Sequence, residues 1–287
     1  GVKLEGLLAS YNFEGSQSEF GLQFTPFGGI NKGIWSFKAG PVLMINSGDV
    51  HLLPYISNRV KVKDDQIVLY NEWNSSLGFN NIISAYRVNP FLAAENRYRN
   101  YRFQERTFLG VRGAFSQGFS YDLRFTQAVW SDAPLWLNDS LDFKQFRQVY
   151  DKKISAWNPH AEIAYKKAGM FDARLAADYF IYSTETQAEA WHMPEFRGLL
   201  SGKYYWKDKL QVGIDVILES GIKARNEQLS VENLPAQVDI NLNASYFLNK
   251  NIGFFAEVNN IANNRNQRWY RYDRFGIHGI AGVKVVF

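Results

Sequence analysis

The stretch VDINLNASYFLNKNIGFFAEVNN, residues 238–260, decides the fold. Val238, Ile240, Leu242, Ala244, Tyr246 and Leu248 alternate with Asp239, Asn241, Asn243, Ser245 and Phe247. After Asn249 and Lys250 the alternation resumes, with Ile252, Phe254, Ala256 and Val258 against Gly253, Phe255, Glu257 and Asn259. Successive side chains of a strand point to opposite faces, so a period of two marks a strand with one apolar and one polar face. The pattern is a hairpin.

The unit recurs upstream. Phe196–Trp206 and Leu210–Leu218 flank Lys207-Asp208-Lys209. Ala161, Ile163 and Tyr165 answer Phe171, Ala173 and Leu175 across a turn at Lys167-Ala168-Gly169. Leu109, Val111 and Phe115 answer Phe119, Tyr121 and Leu123 across Ser116-Gln117-Gly118, and a further hairpin turns at Lys63-Asp64-Asp65. Strands near 2–13, 19–26, 33–46 and 50–62 bring the count to about fourteen, with Pro26 and Pro41 interrupting the first three of them. Turns near 64, 117, 168, 208 and 250 are short, whereas the connections 72–103, 131–152, 183–195, 220–236 and 263–275 are long. Strict alternation of short and long connections is the habit of an outer-membrane barrel, with short periplasmic turns and long extracellular loops. The expected fold is therefore all-β: a transmembrane antiparallel up-and-down β-barrel with about fourteen strands.

Composition agrees. The 287 residues include 22 Phe, 16 Tyr and 8 Trp, a large supply of rings. Mean hydropathy is −0.30. No apolar run is long enough for a membrane helix, a test that a barrel passes unseen because its lipid-facing residues come at every second position. Phe119, Tyr165, Phe171, Tyr204, Trp206, Tyr246, Phe254 and Phe287 fall on the apolar face near the short turns or the chain end, where an interfacial girdle belongs. With turns centred on Gln117 and Ala168, Arg112 lies opposite Asp122 and Glu162 opposite Arg174, two opposite-charge pairs on the polar face. The 32 basic and 28 acidic residues are interspersed, so no basic stripe points to nucleic acid. There is no cysteine, hence no disulfide and no thiolate metal site. No signal peptide opens the sequence, so an exported product would be a mature or trimmed chain. His51, His160, His192 and His278 lack metal-ligand spacing, and no nucleophile is paired with a base. The chain is read as non-enzymatic, with no metal and no cofactor.

The C-terminal third carries a resemblance. FFAEVNNIANNRNQRWYRY, followed by a glycine-rich strand ending in Phe, resembles the closing strands of TonB-dependent receptors and their relatives in the Bacteroidetes lineage; Asn259, Asn260, Ile261, Asn263, Trp269, Tyr270, Tyr272, Gly282 and Phe287 carry it. EAWHMPEFRGLLSGKYYWKDKLQVGIDV, with Trp191, is similar to the preceding hairpin of that family, and LLPYISNRVKVKDDQIVLY and VNPFL to earlier segments. The resemblance implies a multi-pass barrel in the bacterial outer membrane that takes up a small solute or chelate. Such receptors carry an N-terminal plug, a TonB-engaging motif and ~22 strands. Neither plug nor motif falls within these residues, so residues 1–287 are expected to form one barrel domain, either the C-terminal part of a larger receptor-like barrel or a smaller plugless relative. The alternative is a structural or scaffold barrel in an outer-membrane complex, without transport of its own. A soluble β-protein and an outer-membrane hydrolase are the remaining readings.

Candidate binding residues follow. Arg112, Arg174, Arg197 and Lys203 face the lumen, balanced by Asp122, Glu162, Asp215 and Glu257, so the preferred sign of a solute stays open. Trp136 in the loop DAPLWLNDSLDF, together with Trp191, Trp269, Tyr270 and Tyr272, supplies rings for recognition or for loop packing. The Asp cluster beside Trp136 and the Arg–Tyr stretch NPFLAAENRYRNYR read either as ligand sites or as solvated loops. Gly282, Val285 and Phe287 resemble the C-terminal signal read by the outer-membrane assembly machinery. On this reading the last strand pairs with the first to close the barrel. Expected partners are outer-membrane lipid, that machinery and, where a plug lies upstream, TonB or a surface lipoprotein.

Overall fold

A computed structural model describes residues 1–12, 16–116, 118–207 and 209–285. Gln117, Asp208, Val286 and Phe287, read above as turn tips and chain end, lie outside them. The strands are β1 (Val2–Asn12), β2 (Ser16–Pro26), β3 (Gly28–Lys32), β4 (Trp35–Asn46), β5 (Asp49–Lys63), β6 (Ile67–Gly78), β7 (Tyr101–Ser116), β8 (Phe119–Asn138), β9 (Phe146–Lys167), β10 (Phe171–Tyr179), β11 (Ile181–Thr184), β12 (Phe196–Trp206), β13 (Leu210–Ser220), β14 (Lys223–Arg225), β15 (Val231–Asn233), β16 (Gln237–Phe247), β17 (Ile252–Asn259) and β18 (His278–Val285). One helix, α1 (Ile82–Val88), stands in the connection after β6.

Fourteen strands follow one another in a single antiparallel up-and-down path from β1 to β18; β3 and β11 add to it through β4 and β9, and β14 pairs β15 apart from it. The two-residue alternation thus predicts both the architecture and the path length. Among the described residues no ladder joins β18 to β1, which stand at the two ends of the path.

Burial is inverted relative to a water-soluble sheet. On β8, Leu123 is 50% exposed while Thr126 is 1% exposed. Leu175 on β10 is 53% exposed, and its cross-strand neighbours Ile163 and Leu200 are also exposed. The exposed apolar row continues through Ile214, Leu242 and Val258. Rings bound this band on both sides. Toward the short turns lie the exposed Phe119, Phe171, Tyr204, Trp206, Tyr246 and Phe254, with Tyr165 half-buried between the first two. Toward the long loops Trp157 packs on Phe108 and Phe125. Tyr165 and Trp157 are eight residues apart on β9. At ~3.4 Å per residue and a tilt of ~40°, that is about 20 Å of depth, close to the ~25 Å apolar band of outer-membrane barrels.

Register refines the expected pairs. Arg112 does stand opposite Asp122. Arg174, however, stands opposite Ala164, and Glu162 opposite Ala176. The turn centres on Gly169, whose φ of 68° suits glycine, and not on Ala168. Arg174 still reaches Glu162 diagonally, at 2.7 Å.

The loops depart further. Only the end of DAPLWLNDSLDF is a loop: β8 and β9 stay paired from Ser131–Lys153 to Asn138–Phe146, beyond the apolar band, which shortens the expected 131–152 connection to 139–145. The strict alternation also fails twice, because at the long-loop end β4 and β5 are joined by Ser47-Gly48 alone and only three residues separate β1 from β2. The 220–236 connection contains the β14–β15 hairpin, and Asn81 caps α1 in a reciprocal bond with Ser84.

Candidate solute-facing surface

The polar face carries a row of residues that are cross-strand neighbours from β5 to β16: Arg59, Tyr70, Gly110, Arg124, His160, Asp178, Arg197, Glu219 and Gln237. Signs largely alternate along it, and the charges are paired. Arg59 meets Glu72 at 2.7 Å, His160 Nδ1 lies 2.8 Å from Asp178, and Arg197 meets Glu219 at 3.2 Å. The Tyr70 hydroxyl donates to Asp122 at 2.6 Å, its ring lying where a Cβ on Gly110 would sit. An uncompensated charge on such a surface costs several kcal/mol when desolvated, so pairing keeps the face polar without leaving buried ions alone.

The 260–277 segment folds over this face. Asn260 starts it in a left-handed conformation that asparagine tolerates. Its amide donates to the Asn264 and Phe275 carbonyls and accepts from the Asn264 N–H, which ties the base of the segment shut. Arg268 pairs with Glu219 at 3.2 Å, Arg274 with Asp239, and Gln237 donates to the Gln267 carbonyl. From there the segment reaches β8 and β9. Trp269 packs edge-on against Trp136 and Phe146, and Tyr272 stacks on Phe91 at 3.4 Å. Strands far apart in the sheet order therefore meet through one segment, so the sheet curls toward its polar face.

The sequence-predicted residues divide accordingly. Arg112, Arg174, Arg197 and Lys203 stand on the polar face but are spread from β7 to β12 and do not converge. Trp136, Trp269 and Tyr272 do converge, with Phe146, Ala85 and Tyr98, in an apolar cluster. Trp191 belongs to a neighbouring cluster with Leu135 and Ile154, and Tyr270 packs on Ile222, Ala224 and Leu234. Trp136, Trp269 and Tyr272 contact other rings, whereas Trp191 and Tyr270 pack on aliphatic side chains. Asp139 and Asp142, from the acidic cluster, cap backbone N–H groups of their own turn. Of the Arg–Tyr stretch, Tyr98 is buried and Arg99 lies over Tyr150. Gly282 pairs with Phe255 and Val285 with Ile252 on the edge strand. The sequence pattern does not mark Arg124, Asp178 or Arg268 for this face; Arg268 sits in a segment without period, where no alternation assigns a face.

His192 lies at the centre of the cap. Its ring contacts Phe146 and Trp269, and its Nε2 has no partner among the described residues. Burial, with Arg268 nearby, pushes its pKa down to about 3. An unfolded histidine titrates near ~6.5. Between these values the opened cap takes up a proton that the closed cap refuses, so cap stability is full above ~6.5 and drains as pH falls toward 3. Asp139, held low by the Leu141 N–H and Arg147 against the opposing effect of burial, loses its contribution as pH falls below the ordinary carboxylate value of ~3.9. Limited proteolysis should therefore cut 183–195 and 260–277 several-fold faster at pH 4.5 than at 7.5. The difference should vanish in His192→Phe; an unchanged difference would refute the assignment.

No protein-family profile and no curated protein sequence matches the chain. Solved structures do. The FrpB iron transporter from Neisseria meningitidis aligns with a TM-score of 0.65 at 12% identity, over 94% of this chain and 45% of its own. The ferric enterobactin receptor PfeA from Pseudomonas aeruginosa, in complex with enterobactin, aligns at 0.65 and 12%, over 96% and 46%. The pyoverdine outer membrane receptor FpvA of the same species, bound to pyoverdine, aligns at 0.64 and 13%, over 96% and 44%. The sheet is similar in fold to part of an outer-membrane β-barrel. The chain spans less than half the length of these proteins, and at such identity the likeness concerns the fold alone.

Proposed function

We propose that the chain forms a receptor-like wall in a bacterial outer membrane, of the TonB-dependent type found in Bacteroidetes, and serves uptake of a small solute along its polar inner face. The inverted surface carries this reading: exposed Leu, Ile and Val between two aromatic belts, with buried Thr, His and paired charges behind them. Such a surface fits lipid on one side and an aqueous lumen on the other. The neighbours support it by their own names, which describe an iron transporter and receptors for enterobactin and pyoverdine. In lipid the open edges of β1 and β18 need partners, either each other or further strands, because unpaired backbone there costs several kcal/mol per group. Engagement of TonB requires a plug; outer-membrane lipid and the assembly machinery are the other partners. The function is non-enzymatic.

One observation favours the second reading, a sealing or scaffold barrel: the 260–277 segment lies across the inner face. Purified protein reconstituted in planar bilayers tests both. Discrete conductance steps are expected for uptake. A folded, bilayer-inserted protein without conductance, co-purifying with a stable envelope partner, would overturn uptake in favour of the scaffold.

A further inference from the structure

The balanced charges of the polar face leave the sign of a preferred solute open, and one recess on the inner face bears on it. Near the short-turn end of β4 to β8 lies a cavity of about 640 Å³. Among its lining residues are Arg59, Lys61 and Arg112, with Ser120, Asp65 and Asp122. Three cations thus face two carboxylates.

Pairing sharpens the imbalance. Asp65 is engaged by Lys61 at 2.8 Å. Asp122 accepts from the Tyr70 hydroxyl at 2.6 Å and lies 3.9 Å from Arg124. Arg59 is taken by Glu72, which lies outside the lining. Arg112 alone of the three cations has neither ion pair nor hydrogen bond among the described residues. Asp122 stands opposite it in register, yet Arg112 stacks over the Tyr70 ring at 4.9 Å instead. Held over a ring and without a polar partner among the described residues, the guanidinium keeps its N–H donors for an oxyanion.

We propose that this recess binds a small carboxylate- or phosphate-bearing solute, with Arg112 as the anchoring donor and Arg59 and Lys61 supplying positive potential. The inference rests on the uptake reading, in that a solute must reach the inner face, and it commits that reading to anions. The cavity is large enough for a compact polyanion and too small for a bulky chelate.

Equilibrium dialysis of labelled citrate and of inorganic phosphate against the folded, detergent-solubilised protein is the test. Saturable binding is expected for at least one probe, weakened by high salt. Arg112→Gln should weaken it at least ~tenfold, the loss of a charge-assisted contact. Arg112→Lys, which keeps the charge and loses the fork, should fall in between. Lys144→Gln removes an equal charge from the far end and should change nothing. No saturable binding of either probe to wild type, or equal binding by wild type and Arg112→Gln, overturns the proposal. If channels still conduct in bilayers, the anion site falls while uptake stands.

Discussion

Leu175→Arg should destabilise the protein by ~2–4 kcal/mol when folding is measured into lipid bilayers. Leu175 is 53% exposed in the middle of β10, flanked across the sheet by Ile163 and Leu200. In a water-soluble sheet, an exposed leucine can become arginine within about ±0.5 kcal/mol. The two environments thus differ by several-fold at one position where burial is the same. The guanidinium must either enter hydrocarbon or snorkel toward the girdle at Tyr204 and Phe171, and the band around Leu175 is deep enough to make that costly. Lys207→Arg, at the turn beyond Trp206, should be neutral in the same assay. Reversible unfolding from lipid vesicles, followed by tryptophan fluorescence, reads both. A neutral Leu175→Arg would mean that the exposed leucines face water, and the membrane reading would fail with it.

That prediction depends on a face assignment which the sequence alone supplies. Period-two alternation placed Leu123, Ile163, Leu175, Leu200, Ile214 and Leu242 on one side, and the structure keeps every one of them there. The reason is local. A strand's alternation survives any error in where its hairpin turns, because a side chain's face depends on its own strand. Pairing does not survive such an error. Centring one turn on Ala168 rather than Gly169 moved Glu162 from Ala176 to Arg174, since each residue of shift in the turn moves the opposite strand by two.

The inner surface was less legible for the same reason. The Arg124–His160–Asp178–Arg197–Glu219 row exists only once five strands are in register. The cap was least legible. Trp136 sits in a strand because β8 and β9 go on pairing above the apolar band, and above that band no lipid enforces alternation. Arg268 and Trp269 come from a segment with no period at all, positioned by Asn260, whose role depends on a left-handed backbone and four hydrogen bonds. The resemblance marked that asparagine without explaining it. The explanation is geometric: a buried amide that satisfies both ends of a returning loop.

Trp269→Ala should release this cap, with the largest effect of any single substitution in the loops. Trp269 is 8% exposed and touches Trp136, Phe146 and His192, while Arg268 lies 5.0 Å over its ring. Truncating a buried tryptophan costs ~3–5 kcal/mol where the site cannot collapse. Collapse is hindered here, because the ring bridges β8 and β9 on one side and the 260–277 segment on the other. The loss falls on a local opening equilibrium rather than on the sheet, since the ladders from β5 to β17 do not pass through Trp269. A segment that opens by ~3 kcal/mol more readily is open ~100-fold more often. Proteases should accordingly cut near residues 263–275 on a far shorter timescale, with the folded sheet intact. Arg268 and Arg274 would then swing from Glu219 and Asp239, baring Asp239 on the inner face while Glu219 keeps Arg197. If the inner face is a solute path, conductance should rise together with cleavage. If cleavage rises and conductance stays at the wild-type level, the segment is packing for an already open lumen, or the lumen is sealed elsewhere. Comparing the wild-type and variant levels in the same bilayer separates those two cases, because only a sealed lumen gives no conductance in either.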